Sequence, residues 1–115
     1  MYYGTEIATE GGYDPDSRRC FDWNEKNWDP NLMESIKKLI HLKRTEKILG
    51  YGNVSISSKN DVLIVKRSYM EQSITLSINM SQQFIDLELD NTKQIIAGNV
   101  NDGKLSPMGY CVYKD

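Results

Sequence analysis

The sequence predicts a mainly β protein, an antiparallel β-sandwich preceded by a short strand, a polar loop and one amphipathic helix. Apolar residues recur at helical spacing only before residue 50, whereas after Gly52 they alternate with polar residues at a period of two. Turn-forming pairs such as Asn60-Asp61 and Asp90-Asn91 separate the alternating segments at short intervals. One apolar face per strand, repeated over several short strands, is typical of an antiparallel sandwich.

The helix is predicted over residues 30–47. Asp29 suits the N-cap, and Pro30 suits the first helical position, where its missing N–H is not needed. We expect Gly50 to stop the helix and its apolar half to be buried against the sandwich. His41 lies on the polar half, where a solvated histidine is favoured over a general base or a metal ligand. The apolar half consists of Leu32, Met33, Ile36, Leu39, Ile40 and Leu42.

Six strands are predicted after the helix, at residues 53–58, 61–69, 73–79, 84–89, 92–97 and 108–114, with a further short one near 104–106. The third strand alternates most clearly, so we expect its apolar side chains to face the core and its polar ones to face solvent. The apolar set is Ile74, Leu76 and Ile78, and the polar set is Ser73, Thr75, Ser77 and Asn79.

Composition limits the classes of partner. A net charge of -2 gives no electrostatic reason to expect nucleic acid or an anionic membrane. No apolar run reaches the roughly 20 residues that cross a bilayer, and the N-terminus lacks the features of a secretory signal. Cys20 and Cys111 are too few and too far apart for a metal site or a disulfide scaffold. We therefore expect free thiols in a cytoplasmic protein, with no metal and no cofactor.

The first fifty residues carry ordered motifs. Tyr-Tyr-Gly-Thr-Glu-Ile spans residues 2–7, Gly-Gly-Tyr-Asp-Pro-Asp-Ser-Arg-Arg spans residues 11–19, and Lys-Lys-Leu-Ile-His-Leu-Lys-Arg spans residues 37–44. In this order they resemble the eighth barrel strand, the loop after it and the last helix of α-amylase-family glycoside hydrolases, most of all the cyclomaltodextrinase, neopullulanase and maltogenic amylase group. The resemblance implies that residues 1–49 are the tail of a (β/α)8 barrel and that residues 50–115 are the antiparallel C-terminal domain.

Asp14 and Arg18 are the candidate substrate-binding residues. Their i, i+4 spacing places both side chains on one side of a helical turn. From the residues alone, a structural ion pair that fixes the loop is favoured. The resemblance instead implies that both contact glucose units on the non-reducing side of the scissile bond.

No catalytic residue is predicted in this sequence. Retaining glycosidases need two carboxyl groups about 5–5.5 Å apart, and the resemblance implies that these belong to earlier barrel strands. We expect the loop acids Glu10, Asp16 and Asp22 to be solvated. Tyr2, Tyr3 and Trp23 are expected to pack against the barrel and the helix.

The resemblance implies a parent that hydrolyses α-1,4 bonds in cyclodextrins, maltooligosaccharides or pullulan, with this chain as an inactive structural domain. The alternative is a stand-alone carbohydrate-binding or protein-interaction module, although Tyr69, Tyr110 and Tyr113 are expected to lie scattered over separate strands. A barrel strand at Tyr2–Ile7 without neighbours would expose Tyr2, Tyr3 and Ile7, so we also expect self-association through residues 1–28.

Overall fold

A computed structural model describes residues 3–90, 92–98 and 100–115. It separates into two compact units, Met1–Leu42 and Lys43–Asp115. The first unit contains three single 3-10 turns and most of helix α1, Pro30–Thr45. The second contains the end of α1, the short helix α2, Ile48–Tyr51, and every strand of the described residues. Among those residues no helix is both long enough and apolar enough to cross a bilayer.

The segment predicted as a first strand is a turn instead. Tyr3 and Gly4 form a turn, and Thr5–Ile7 forms a single 3-10 turn, whereas Met1 and Tyr2 lie outside the described residues. The Gly4 carbonyl accepts hydrogen bonds from the backbone N–H groups of Ile7 at 3.3 Å and Thr9 at 2.9 Å. A barrel strand needs a neighbour on each side, and the backbone here forms local bonds instead. Tyr3 is exposed as expected, but Ile7 is only 3% exposed, so the expectation for Ile7 was wrong.

Helix α1 begins where the sequence predicted. Asp29 caps it, since its Oδ1 accepts hydrogen bonds from the backbone N–H groups of Asn31 at 2.9 Å and Leu32 at 3.0 Å. No residue of α1 is buried, and Leu39 and Ile40 remain 38% and 45% exposed. Packing of the apolar half against the sandwich stays a prediction.

The predicted stop at Gly50 was also wrong, because Gly50 lies inside α2. The chain leaves α2 at Gly52, whose N–H donates to the Ile48 carbonyl at 2.9 Å. A Cβ at Gly52 would lie 2.6 Å from that carbonyl oxygen and 3.0 Å from the Ser68 carbonyl oxygen. Only glycine permits this close approach of α2 to the sheet.

Two antiparallel sheets form the second unit, which confirms the mainly β prediction. The strands are β1 (Asn53–Lys59), β2 (Val62–Tyr69), β3 (Gln72–Asn79), β4 (Ile85–Asp86), β5 (Gln94–Gly98), β6 (Val100–Asn101), β7 (Lys104–Leu105) and β8 (Tyr110–Lys114). The larger sheet has the order β1-β2-β3-β8-β5, and the smaller has the order β4-β7-β6. The strand predicted at residues 84–89 is observed only as the two-residue β4, and β6 was not predicted.

The prediction for β3 was wrong for its polar side chains, which were expected to face solvent. Its polar side chains are the buried ones, with Ser73 and Thr75 at 5% exposure and Ser77 and Asn79 at 0%. Leu76 and Ile78 are only half-buried, although Ile74 is 2% exposed. Asn79 connects this face to the smaller sheet, because its side chain donates to the carbonyl of Leu105 in β7 at 3.3 Å and Leu105 is fully buried. Short hydroxyl side chains let two sheets approach closely while their polar atoms find partners.

Candidate functional site

The Asp14–Arg18 pair forms as the spacing predicted. Arg18 Nε lies 2.7 Å from Asp14 Oδ1, and both side chains are more than 60% exposed. A 3-10 turn at Asp16–Arg18 brings them together: the N–H of Arg18 donates to the Pro15 carbonyl at 2.9 Å, and the N–H of Asp16 donates to the Tyr13 carbonyl at 2.8 Å. The guanidinium therefore orients an exposed carboxylate that retains free acceptor positions.

Asp16 fixes the loop by hydrogen bonds while its side chain stays 43% exposed. Its carboxylate accepts hydrogen bonds from Gly12 N at 2.7 Å and from Arg19 Nε at 2.6 Å and Nη2 at 2.9 Å. The bonds from Arg19 and then Gly12 lower the pKa of Asp16, and the same pairing raises the pKa of Arg19. The i, i+3 spacing of Asp16 and Arg19 is the signal that sequence reasoning overlooked.

Asp22 likewise organises the end of the loop. Its carboxylate accepts hydrogen bonds from Asn24 N and Asn27 Nδ2, both at 2.8 Å, and the Asn27 bond is the main cause of its lowered pKa. Its carbonyl accepts from Trp28 Nε1 at 2.7 Å. Asp22 is therefore hydrogen-bonded within the loop as well as partly exposed to solvent.

Trp23 is mostly exposed. It contacts Phe21 with ring centroids 4.7 Å apart, yet 82% of the residue faces solvent, and Tyr13 beside Asp14 is 98% exposed. Packing of Trp23 thus remains local, and most of the indole is free for contact with a ligand or another protein.

None of the four carboxyl groups whose pKa is shifted is suited to act as a general acid. The four with shifted pKa values, Asp16, Asp22, Asp90 and Asp115, are all lowered by hydrogen bonds. A general acid at neutral pH needs a raised pKa instead. Glu6 Oε2 is buried without a hydrogen-bond partner among the described residues, and Glu10 is exposed.

Across the described ranges no group of three or more His, Cys, Asp or Glu could hold a metal ion. His41 is exposed.

Tyr69 and the Tyr110 and Tyr113 pair lie on different strands, β2 and β8, so these tyrosines are scattered as expected, but Tyr69 has an aromatic neighbour that was not predicted. Tyr69 of β2 lies beside Tyr51 of α2, with ring centroids 6.4 Å apart and planes inclined by 44°. Tyr110 and Tyr113 are half-buried on β8. Sequence reasoning missed Tyr51 because 18 positions separate the two tyrosines and only the fold of α2 against β2 brings them together.

Similar proteins are enzymes of α-glucan metabolism. The chain is 36% identical over 84 residues to a cyclomaltodextrinase of Thermoanaerobacter pseudethanolicus, which is 72% of this chain and 15% of that protein. It is 30% identical over 112 residues to a maltogenic α-amylase of Bacillus acidopullulyticus, which is 91% of this chain and 19% of that protein. The crystal structure of the maltogenic amylase from S. marinus superposes with a TM-score of 0.84 and 31% identity, over 99% of this chain and 16% of that one.

The two-sheet unit and the preceding loop and helix thus define a segment of a glycoside hydrolase. No protein-family model matches the chain. The relatives and the structural neighbour together place it in the α-amylase family, where it corresponds to the C-terminal part of the enzyme. It spans less than a fifth of the length of each of the three proteins.

Proposed function

We propose that this chain is the C-terminal part of a glycosidase that hydrolyses α-1,4-glucosidic bonds in cyclodextrins, maltooligosaccharides or pullulan. Residues 1–49 contribute the end of the barrel, and residues 50–115 form a stabilising domain. The observation that carries this proposal is that the resemblance spans nearly the whole chain, since 99% of it superposes on the maltogenic amylase structure with a TM-score of 0.84. We expect the chain itself to be inactive, because hydrolysis with retention needs a nucleophile and a general acid, which the resemblance assigns to earlier barrel strands.

Asp14 and Arg18 contact the sugar in the complete enzyme. Both are exposed and already paired at 2.7 Å, so little side-chain freedom is lost when a hydroxyl group bridges them. A carboxylate accepts hydrogen bonds from hydroxyl groups, and a guanidinium donates to them. In this chain alone they form one wall of a site, so binding there is millimolar or weaker.

A chimera tests this function. This chain would replace the matching segment of the B. acidopullulyticus maltogenic α-amylase, and release of reducing sugar from β-cyclodextrin would be measured. We expect the chimera to retain activity and the chain alone to have none. Asp14→Ala in the chimera should lower kcat/KM about 10- to 100-fold, because a hydrogen bond to a charged group contributes about 1.5–3 kcal/mol.

The matched control is Asp86→Ala. Asp86 also forms an exposed ion pair, with Lys104 at 3.6 Å, but it lies on β4 of the second unit. The Asp86→Ala substitution should therefore leave kcat/KM of the chimera unchanged. Equal losses from both substitutions, or an inactive but folded chimera, would contradict the proposed role of this segment.

Self-association through residues 1–28 and a cytoplasmic location complete the proposal. Tyr3, Tyr13 and Trp23 leave aromatic surface exposed in this segment. Cys20 and Cys111 are both free thiols, and burial raises the pKa of Cys111, which keeps it protonated and unreactive. Sedimentation of the purified chain should show a dimer that deletion of residues 1–28 abolishes. A strictly monomeric full chain at high concentration would refute self-association.

A further inference from the structure

An open cleft lies within the second unit, between residues 45–48 and the β2–β3 turn at residues 69–72. Its volume is about 670 Å³, which falls within the range of small-molecule sites. We call it the α2–hairpin cleft. Ile48, which is 3% exposed, anchors one wall, and Tyr69 with Met70 forms the other. Both walls belong to elements that pack on each other within one unit, so the cleft has a fixed frame.

Aromatic rings continue this cleft onto the surface. Tyr69 lines it and is 39% exposed, while Tyr51 contacts Tyr69 and is 76% exposed. Met70, at the tip of the hairpin, is 86% exposed. Adjacent exposed aromatic side chains are costly to leave in water and mark surfaces that bind a ligand or a partner. Rings inclined by 44° offer two faces at different angles, which suits a curved ligand more than a flat one.

Polar side chains surround the rings of Tyr51 and Tyr69. Glu71 and Gln72 are exposed at the hairpin, and Lys47 is exposed on the opposite wall. The Glu46 carboxylate is fixed by Lys114, whose Nζ lies 2.9 Å from its Oε2. The negative charges of Glu46 and Glu71 are thus balanced by the positive charges of Lys114 and Lys47. The cleft therefore has no strong electrostatic field that would favour a charged ligand. Apolar ring faces beside donors and acceptors fit a neutral compound with hydroxyl groups.

We propose that the α2–hairpin cleft binds a chain of α-1,4-linked glucose units. One sugar face stacks on Tyr51 and the next unit contacts Tyr69, while Glu71, Gln72 and Lys47 exchange hydrogen bonds with the hydroxyl groups. The choice of the α-1,4 linkage rests on the proposed function, whereas the affinity for sugar rests on the rings and polar groups of the cleft. This site belongs to the second unit, and the Asp14–Arg18 loop belongs to the first.

Titration of the isotopically labelled chain with maltoheptaose, followed by NMR, tests the proposal. We expect amide shifts concentrated at residues 45–51 and 69–72 with a millimolar dissociation constant. Tyr51→Ala should weaken binding at least about tenfold without altering the spectrum elsewhere, because Tyr51 is mostly exposed. Tyr69→Phe should retain binding. The matched control is Phe84→Ala, which removes a 63% exposed aromatic side chain outside the cleft and should change nothing.

Two outcomes would overturn the site. One is an absence of shifts at residues 45–51 and 69–72 at saturating sugar, and the other is unchanged affinity in Tyr51→Ala. Equal affinity for cellohexaose would overturn the α-1,4 assignment. The proposed function is tested by a different measurement, the hydrolysis of β-cyclodextrin by the chimera. Asp14→Ala should reduce that hydrolysis, yet it should leave the sugar-induced amide shifts at the cleft unchanged. Loss of both in Asp14→Ala would contradict the independence of the two sites.

Discussion

Asn79 is the residue on which the contact between the two sheets depends. It is fully buried, and its Nδ2 donates to the carbonyls of Gln83 at 2.6 Å and Ser106 at 2.9 Å. Its Oδ1 accepts from both the backbone N–H and the hydroxyl of Ser81 at 2.9 Å. One side chain therefore satisfies buried groups on two connecting segments, which an apolar residue of the same size would leave unpaired.

We expect Asn79→Ala to lower the free energy of unfolding by about 3 kcal/mol, because several buried polar groups lose their partner at once. Urea denaturation followed by circular dichroism measures the change. Asn53→Ala is the matched control, since Asn53 is exposed on β1, and it should stay within about 0.5 kcal/mol. Equal costs at the two positions would show that the Asn79 bonds do not hold the sheets.

Asp16 gives the loop a pH dependence with a definite sign. Its pKa is lowered in the folded chain by Arg19 and Gly12, so its contribution to loop order is present above the ordinary carboxyl pKa. It is lost as the pH falls through the lowered value. The Gly12 amide should therefore shift in NMR spectra with a midpoint below about 3.9, the ordinary value for Asp. Asp16→Asn should abolish that response, whereas its persistence would assign the titration to another acid.

At the scale of elements, α1 and β3 each contain aliphatic residues whose burial differs, with different consequences for stability. Leu39 of α1 is 38% exposed, whereas Ile74 of β3 is 2% exposed. Leu39→Ala should cost about 1 kcal/mol or less, since alanine also has the higher helix propensity. Ile74→Ala should cost about 2–5 kcal/mol because it leaves a cavity. Thermal and urea unfolding compare the two variants, and a larger loss for Leu39→Ala would show that the helix face is buried in solution.

The same elements show what the sequence can predict. Period-two alternation located β1, β2, β3, β5 and β8 to within two residues, because backbone geometry alone fixes that period. Alternation cannot say which face of a strand a second sheet will cover. In β3 the small side chains of Ser73, Thr75 and Ser77 are buried. The Asp14–Arg18 pair was predictable because its geometry is local. The Tyr51–Tyr69 pair was not, since it depends on where α2 packs.

At the scale of the whole molecule, the sequence and the structure place the boundary between units differently. The sequence places it at 49/50, whereas the structure divides the chain between Leu42 and Lys43. The intervening residues bind to the rest of the second unit, since Glu46 pairs with Lys114 at 2.9 Å and Ile48 is 3% exposed. These contacts predict that residues 43–115 fold as an independent unit.

Two truncated chains test this boundary. Residues 43–115 should give a dispersed NMR spectrum and a cooperative urea transition. Residues 50–115 should be less stable by about 2–5 kcal/mol, the range for deleting a buried aliphatic side chain, because Ile48 is removed and Lys114 loses Glu46. Ile48→Ala within residues 43–115 should reproduce much of that difference, and Lys47→Ala, at an exposed neighbouring position, should not. Equal stability of the two truncated chains would place the boundary at 49/50 and make residues 43–49 a linker.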